Sequence, residues 1–149
     1  MTSLKWWMRV VGALYVFLFV ASAILRLPIR AEGPEGLLDR ASAGDATARF
    51  VVVVWVTFGL YLGAVGVALL INSRVPEQAR ALVGTAMGME FAGIAADVYK
   101  IARGYELAPP VPWMVIHSVI IVTGLLFLRR VRSAERARPA AGQTPQFGT

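Results

Sequence analysis

The chain has 149 residues, of which 57% are hydrophobic and 16% are charged, and its formal net charge is +6. Soluble domains carry about 25% charged residues, so this chain has too few charged groups to cover a water-facing surface. It contains no cysteine, which excludes disulfide exchange, iron–sulfur ligation and zinc–thiolate sites.

Four apolar stretches are long enough to cross about 30 Å of hydrocarbon, which takes roughly 20 helical residues. Backbone amides in lipid must pair internally, so each stretch is predicted to be a helix. The predicted fold is all-α, an integral membrane four-helix bundle within residues 1–132, followed by a disordered cytoplasmic tail at 133–149. The predicted spans are 6–27, 50–71, 81–101 and 112–128.

The first apolar stretch also has features of a secretory signal peptide, because Lys5 and Arg9 precede the apolar run 10–20 and a small-residue patch at 21–23 offers a cleavage site. The stretch continues far enough to form a full span, so we favour a membrane helix. In that interpretation the small-residue patch predicts a contact with another helix.

Three positions between the spans predict local structure. Asp45 is predicted to cap the N-terminus of the second helix. Pro76 suits the first turn of a helix, so the third helix is predicted to begin there, before it enters the membrane. In the loop between the first two spans, Leu37 and Leu38 are predicted to lie against the membrane surface.

The distribution of basic residues predicts orientation. With both termini in the cytoplasm, more Lys and Arg residues fall on the inner side than on the outer side, as the positive-inside rule requires. The same residues flank the spans and predict contact with anionic lipid. No basic face interleaves with exposed aromatic residues, so we do not expect nucleic-acid binding.

Two stripes of small residues predict close helix packing. Such stripes let neighbouring backbones approach within a membrane. Packing within the chain is favoured, and a homo-oligomer formed through the glycines remains an alternative. The stripes consist of Gly59, Gly63 and Gly66 in the second span and of Gly84, Gly88 and Ala92 in the third.

The third span contains two acidic residues, Glu90 and Asp97, which are almost two helical turns apart and therefore share a face. That face lies away from the small-residue stripe of the same span. An ionised group at the bilayer centre costs at least about 2.5–3.5 kcal/mol, so each acid needs a partner, a water pocket or a neutral form.

Depth within the membrane predicts partners for these acids. Asp97 and His117 lie at similar depth near the outer boundary, where Arg26, Thr57 and Tyr99 could join them. Glu90 is predicted to lie near mid-membrane, at the level of Tyr61. Arg9 either reaches toward Glu90 or extends to the inner headgroups. Structural hydrogen bonds explain these residues about as well as a binding or proton-carrying site does. The candidate site residues are Glu90, Asp97, His117, Arg26, Thr57 and Tyr61.

Lys100 lies one turn from Asp97 and is predicted to pair with it. His117 is the only histidine, and a lone imidazole without cysteine predicts no metal site and no bis-histidine haem. Ser118 adjoins His117 but would point elsewhere on a helix, so no Ser-His-Asp triad is expected. We therefore expect no catalytic residue, no cofactor and no enzyme activity.

Three segments of the chain resemble the BphX-like family of small bacterial membrane proteins, which is named for a member found in a biphenyl-degradation gene cluster. The segments are 5–12 (KWWMRVVG), 32–36 (EGPEG) and 97–105 (DVYKIARGY), and the resemblance extends from Leu4 to Arg130. It implies a bacterial cytoplasmic membrane protein without established activity, and it makes an apolar or aromatic ligand plausible. A weaker likeness is to DoxX-like proteins.

Three functions remain open from the sequence. The favoured one is a non-enzymatic membrane protein that binds or helps to move a small, largely apolar molecule, or supports a membrane-associated pathway. The second is a proton-coupled transporter in which Glu90 alternates between protonated and substrate-bound states, since burial disfavours a charged carboxylate. The third is a structural subunit that associates through its glycine stripes.

Overall fold

The computed structural model of the chain describes residues 2–25, 36–76, 79–104 and 110–136. This part of the chain is helical and contains no strand, so the all-α prediction is confirmed. The elements are α1 (Thr2–Phe19), which continues into a π-helical turn at Val20–Ile24, then α2 (Leu37–Ser42), α3 (Ala46–Asn72), α4 (Arg80–Ala102) and α5 (Pro110–Arg136).

Four helices in the described ranges are long and apolar enough to cross a membrane. Their outward surface is also apolar: the side chains of Phe17, Phe50 and Phe91 are each more than half exposed. Soluble monomers rarely expose apolar patches of this kind, so the surface suits hydrocarbon better than water. The four candidate spans are Ser3–Ile24, Ala46–Asn72, Arg80–Ala102 and Pro112–Ser133.

Helix α5 contains the fourth predicted span and extends beyond it at both ends. It runs from Pro110 to Arg136; its candidate membrane span begins at Pro112, as predicted, but continues to Ser133 rather than 128. Proline suits the first helical turn because its missing N–H is not needed there, and the basic residues after 128 are good helix formers. The first residues of the predicted disordered tail, 133–136, are therefore helical, and the rest of the tail lies outside the described residues.

Two other long helices begin before their predicted spans. α1 begins at Thr2, ahead of the span predicted from 6, and α3 begins at Ala46, directly after the predicted cap Asp45 and ahead of the span predicted from 50. The prediction that the third helix begins at Pro76 is wrong, because α4 begins at Arg80. Pro76 lies in a turn, where its carbonyl oxygen accepts a hydrogen bond from the amide of Ala79 at 3.3 Å.

The predicted cap of α3 is confirmed. The amide of Ala48 donates to Oδ1 of Asp45 at 3.0 Å, and the Arg40 guanidinium binds Oδ2 at 2.6 Å. Gly44 precedes the cap with a φ of 104°, a conformation that favours glycine. The predicted membrane-facing residues Leu37 and Leu38 fall in α2 and are partly buried, and their contact with lipid stays a prediction.

The cap predicts a pH dependence for the start of α3. The hydrogen bond from Ala48 and the contact with Arg40 lower the pKa of Asp45 below its ordinary value of 3.8. A lowered folded-state pKa means that the stabilisation is present above the unfolded-state value and is lost as pH falls through the folded-state value. We expect amide hydrogen exchange at Ala48, corrected for its intrinsic rate, to accelerate below pH 3.8. Asp45→Asn keeps a capping oxygen without this titration, and equal behaviour of the two proteins would contradict the prediction.

The chain forms two compact units, one of Lys5–Ala86 and one of Met1–Leu4 with Met87–Thr149. In the first unit, α1 and α3 approach each other at two glycines. A Cβ atom on Gly66 would lie 2.8 Å from the carbonyl oxygen of Gly12, and one on Gly12 would lie 2.9 Å from that of Gly66. Real Cβ atoms essentially never approach other atoms so closely, so this crossing requires glycine on both helices.

The predicted packing role of the first glycine stripe is confirmed. Gly59 packs against Ser22 and Ala23, and Gly63 packs against the ring of Phe19. The small-residue patch at 21–23 is thus a helix contact, as predicted. Gly59 and Gly63 are therefore covered by the chain's own first helix, and a homo-oligomer through the glycines stays a prediction.

The packing prediction for the second stripe is wrong. No atom of the described residues lies within 4 Å of a Cβ placed on Gly84 or on Gly88, and Ala92 is exposed. The small residues share a face, but α4 buries a different face, which carries Val83, Ala86 and Glu90. The physical reason is that the buried side of α4 is set by its polar residues, which need partners within the protein.

Arg9 and Tyr15 form polar contacts within the first unit. The Tyr15 hydroxyl donates to the carbonyl oxygen of Ala86 at 3.3 Å. Arg9 Nε donates to Oγ of Ser73 at 3.4 Å, and its guanidinium lies 5.5 Å from the centre of the Trp6 ring. Ser73 directly follows the end of α3, so Arg9 extends toward a helix end, as the headgroup alternative predicts.

Candidate functional site

The second unit contains a cluster of ionisable side chains on α4 and α5. Glu90 and Asp97 are each only 4% exposed, although α4 is apolar enough to span a membrane. They lie seven residues apart on one face of the helix, as predicted from their spacing. Burying two carboxylates in one helix face requires a partner that both can reach.

That partner is His117 on α5. Its Nδ1 atom is hydrogen-bonded to Oε2 of Glu90. Its Nε2 atom faces Oδ2 of Asp97 at 3.8 Å, which is too long for a hydrogen bond but close enough for an ion pair when the ring is protonated. The imidazole therefore lies between the two buried carboxylates.

Asp97 has a second partner in Lys100, as the sequence predicted. Lys100 Nζ donates to Oδ1 of Asp97 at 2.8 Å, and the ammonium-bearing side chain is 41% exposed. Oδ2 of Asp97, in contrast, is buried and has no hydrogen-bond partner among the described residues. We refer to Glu90, Asp97, Lys100 and His117 as the histidine cluster.

Gly93 allows the imidazole to lie against α4, and the sequence analysis did not identify it. A Cβ atom at this position would lie 2.7 Å from Cε1 of His117. Gly93 lies three residues after Glu90 and four before Asp97, so it occupies the centre of the face that carries both acids. Its position between Glu90 and Asp97 on one helix face could have indicated a close contact there. The glycine stripes elsewhere in the chain were more prominent.

A tryptophan ring lies beside the cluster on α5. The ring centres of Trp113 and His117 are 6.5 Å apart, with an angle of 34° between the planes. The two residues are one helical turn apart, which places their side chains on the same side of α5. The indole of Trp113 is itself exposed, so the imidazole has an apolar and accessible neighbour.

Replacement of Gly93 tests this arrangement. We expect Gly93→Ala to push the imidazole away from α4 and to weaken its hydrogen bond to Glu90, because the added methyl group would overlap the ring. Overpacking of this kind typically costs about 1–3 kcal/mol of stability. The measurement is the nitrogen chemical shifts of His117 together with thermal unfolding. Gly88→Ala is the matched control, since space is open there; an equally small effect of both changes would disprove the role of Gly93.

The sequence predicted Asp97 as the acidic partner of His117 and did not predict the hydrogen bond to Glu90. Because α5 begins at Pro110, His117 lies seven residues into the helix, or roughly 10 Å from its start at 1.5 Å per residue. This depth falls between those of Asp97 and Glu90 measured from the end of α4 at Ala102. The imidazole consequently reaches both acids rather than Asp97 alone.

The other candidate residues that the structure describes occupy exposed positions. Thr57 is exposed on α3, and Tyr61 on the same helix is 66% exposed. Tyr99 is also exposed, and the guanidinium of Arg103 lies 5.5 Å from the centre of its ring. Arg26 lies outside the described residues. Of the six predicted site residues, the structure brings together Glu90, Asp97 and His117.

The chemistry of the cluster is that of proton binding and ion pairing. Its two carboxylates, one ammonium group and one imidazole can form ion pairs with one another and can bind protons. In the described part of the chain, no group of three His, Cys, Asp or Glu side chains could hold a metal ion.

Comparison with known proteins identifies the family of the chain. A family model described as BphX-like matches residues 1–134, which includes every described residue of the histidine cluster. Searches of curated proteins and of solved structures gave no match. Since the family model covers nearly the whole sequence, the chain belongs to the BphX-like family.

Proposed function

We propose that this protein binds or moves a small, largely apolar molecule within the membrane, in a cycle coupled to proton uptake and release at the histidine cluster. The observation that carries the proposal is that two carboxylates, each 4% exposed, face one imidazole. All three groups lie on helices that are apolar enough to span a bilayer. Intramembrane ionisable residues of this kind often mark proton relays and substrate pathways.

The number of ionisable groups favours a function over a purely structural role. A single neutral polar pair is sufficient to hold two membrane helices together. The histidine cluster instead contains four ionisable groups, and one buried carboxylate oxygen has no hydrogen-bond partner among the described residues. An arrangement selected for stability alone would satisfy that oxygen, so the cluster resembles a site that changes its protonation state.

His117 is the group that would carry the proton. Its Nδ1 atom is held by Glu90, which fixes the ring and leaves Nε2 directed toward Asp97. A proton on Nε2 produces an imidazolium between two carboxylates, and its release restores the neutral ring. Both polar partners of the ring in the described chain are carboxylates, which suit proton exchange; acyl transfer would need a nucleophilic hydroxyl group. We propose a non-enzymatic role for this proton exchange.

The proposed setting is the bacterial cytoplasmic membrane, with the long helices packed as a four-helix bundle and both termini in the cytoplasm. The four apolar helices and the bias of Lys and Arg support this setting. The basic residues at the helix ends would contact anionic lipid headgroups. In this orientation Lys100 lies at the outer end of α4.

A structural subunit is the second candidate, and the open stripe on α4 favours it. Gly84 and Gly88 leave space that a second helix could fill. If assembly is the whole function, Gly88→Leu should alter the oligomeric state, whereas Asp97→Asn and His117→Ala should have no effect. Cross-linking in native membranes measures the oligomeric state of all three variants.

The test of proton coupling uses the single histidine as a reporter. The full chain, with a tag that contains no histidine, is labelled with ¹⁵N-histidine and reconstituted into sealed vesicles of phosphatidylethanolamine and phosphatidylglycerol. All labelled nitrogen signals then arise from His117, because the chain has one histidine. The pH is changed between about 5 and 8, the range in which imidazole exchanges protons, first inside the vesicles and then outside.

We expect the ring to gain and lose a proton reversibly when the pH of either compartment is changed. Glu90→Gln keeps the shape of the side chain but removes its negative charge, so it should suppress this exchange. Asp39→Asn, which removes a charge from the exposed surface of α2, should leave it intact. A ring that keeps one protonation state under all conditions would refute the proposed function.

A further inference from the structure

We infer that the small molecule is an organic ammonium ion with a largely apolar body, which binds Asp97 in exchange for the proton of His117. This inference rests on the proposed function and adds the chemical class of the ligand. It is carried by the buried Oδ2 atom of Asp97, which has no hydrogen-bond partner among the described residues, and by the position of that atom relative to the imidazole.

The charge of the cluster selects a cation. With His117 neutral, Glu90 and Asp97 supply two negative charges and Lys100 supplies one positive charge. The four side chains of the cluster then carry one net negative charge, and both carboxylates are almost completely buried, where a negative charge needs a positive partner. A proton on the imidazole removes this net charge, and so does a bound cation. An anion would add to the repulsion between the two carboxylates.

The hydrogen-bonding geometry selects an ammonium group. Lys100 satisfies only Oδ1 of Asp97. When Nδ1 of His117 carries the proton shared with Glu90, its Nε2 atom is an acceptor, and it lies 3.8 Å from the second acceptor, Oδ2 of Asp97. One donor atom with two N–H groups can bond both at about 2.9 Å. An ammonium group has three such donors, whereas a hydroxyl group has one.

The side chains around the histidine cluster favour a ligand that is apolar beyond its ammonium group. Trp113 lies beside the imidazole and exposes its indole, which offers an aromatic face to an incoming cation. The outward surface of α4 and α5 near the cluster is apolar, with Val98, Trp113 and Ile116 exposed. A small inorganic cation would gain nothing from these side chains, whereas an aromatic or aliphatic ammonium ion would bury its body against them.

Proton and ammonium ion would compete for the same position. In the protonated state, the imidazolium N–H faces Oδ2 of Asp97 and balances its charge. In the bound state, the ammonium group donates to Oδ2 of Asp97 and to Nε2 of His117, and the ring is neutral. One proton leaves for each cation that enters, so the net charge of the cluster is the same in both states. Of the remaining charged groups in this unit, Arg103 is exposed and lies over the ring of Tyr99.

The test compares three probes that share one apolar body: 2-phenylethylamine, 2-phenylethanol and phenylacetate. The full chain is placed in lipid nanodiscs of phosphatidylethanolamine and phosphatidylglycerol, and binding is followed through the ¹⁵N signals of His117. At about pH 8 we expect the amine to bind at least about tenfold more tightly than the alcohol or the acid, because its contact with Asp97 is charge-assisted. Binding should weaken as the pH is lowered and the ring takes up a proton.

Two variants with opposite expected effects on amine binding test the role of Asp97. Asp97→Asn should remove the advantage of the amine, whereas Asp39→Asn is the matched control and should retain it. Lys100→Gln frees Oδ1 of Asp97 and removes a competing positive charge, so it should tighten amine binding. This opposite effect keeps the inference testable even if Asp97→Asn does not fold.

Several results would overturn the inference. They are equal binding of the alcohol or the acid, an amine advantage that survives Asp97→Asn, weaker amine binding by Lys100→Gln, and no binding of any probe. If these occur while His117 still exchanges its proton in a manner that depends on Glu90, the proposed function stands and only the ligand class is wrong. If the ring does not exchange a proton at all, the proposed function fails as well.

Discussion

Replacing Gly66 with leucine is expected to separate α1 from α3 and to prevent the first unit from folding. A Cβ atom at this position would lie 2.8 Å from the carbonyl oxygen of Gly12 and 2.9 Å from Cβ of Tyr15. The first of these atoms belongs to the backbone and cannot move aside as a side chain can. Overpacked cores lose about 1–3 kcal/mol in soluble proteins, and leucine adds several atoms beyond Cβ. Thermal unfolding in detergent and the yield of folded protein measure the effect.

Gly84→Leu is the matched control for this change. It introduces the same side chain into a long apolar helix, but no described atom lies within 4 Å of the new Cβ. We expect its unfolding temperature to stay close to that of the wild type. If the chain associates with a second copy through this stripe, the oligomeric state should change while the fold is retained. Similar destabilisation by Gly66→Leu and Gly84→Leu would contradict the close approach of α1 and α3 at Gly66.

The second large effect is expected for the pair formed by Glu90 and His117. Hydrogen bonds between membrane helices contribute about 0.6 kcal/mol on average, and a bond to an ionised group is roughly twice as strong. We therefore expect a coupling energy of about 1–2 kcal/mol in a double-mutant cycle of Glu90→Ala and His117→Ala. The measurement is the free energy of unfolding of the wild type, both single variants and the double variant.

If the two single substitutions change the free energy of unfolding additively, the result contradicts a contact between the two side chains. Independent sites usually add within about 0.3–0.5 kcal/mol, so a coupling energy in that range would be the contrary result. The pair Tyr61 and Thr57 provides the comparison. Both residues are exposed on α3, and their alanine variants should be additive.

Much of the helical fold follows directly from the sequence. The number of apolar stretches, the cap at Asp45 and the packing of Gly59 and Gly63 depend on local spacing, which the sequence displays. The pairing of Asp97 with Lys100 follows in the same way, because residues three apart on a helix are neighbours. Each of these features is decided within one helix or by a surface that only small residues can form.

The features that sequence reasoning missed depend on how far each helix extends and on which face is buried. The start of α5 at Pro110 moved His117 deeper than expected and placed it against Glu90. Gly88 and Gly93 are both glycines of α4, yet one is open and the other touches the imidazole. Composition does not distinguish them, because the distinction arises from the side chain on the neighbouring helix.

The most direct test of the central claim is a measurement of the distance between His117 and Glu90 in a lipid bilayer. With ¹⁵N-histidine and ¹³C-labelled glutamate carboxyl groups, solid-state NMR detects only a carboxyl carbon close to the single imidazole. The account predicts one such carbon within about 4 Å of Nδ1, as a direct hydrogen bond requires, and its loss in Glu90→Gln. A wild-type protein without this dipolar contact would show that the imidazole does not lie between the buried acids.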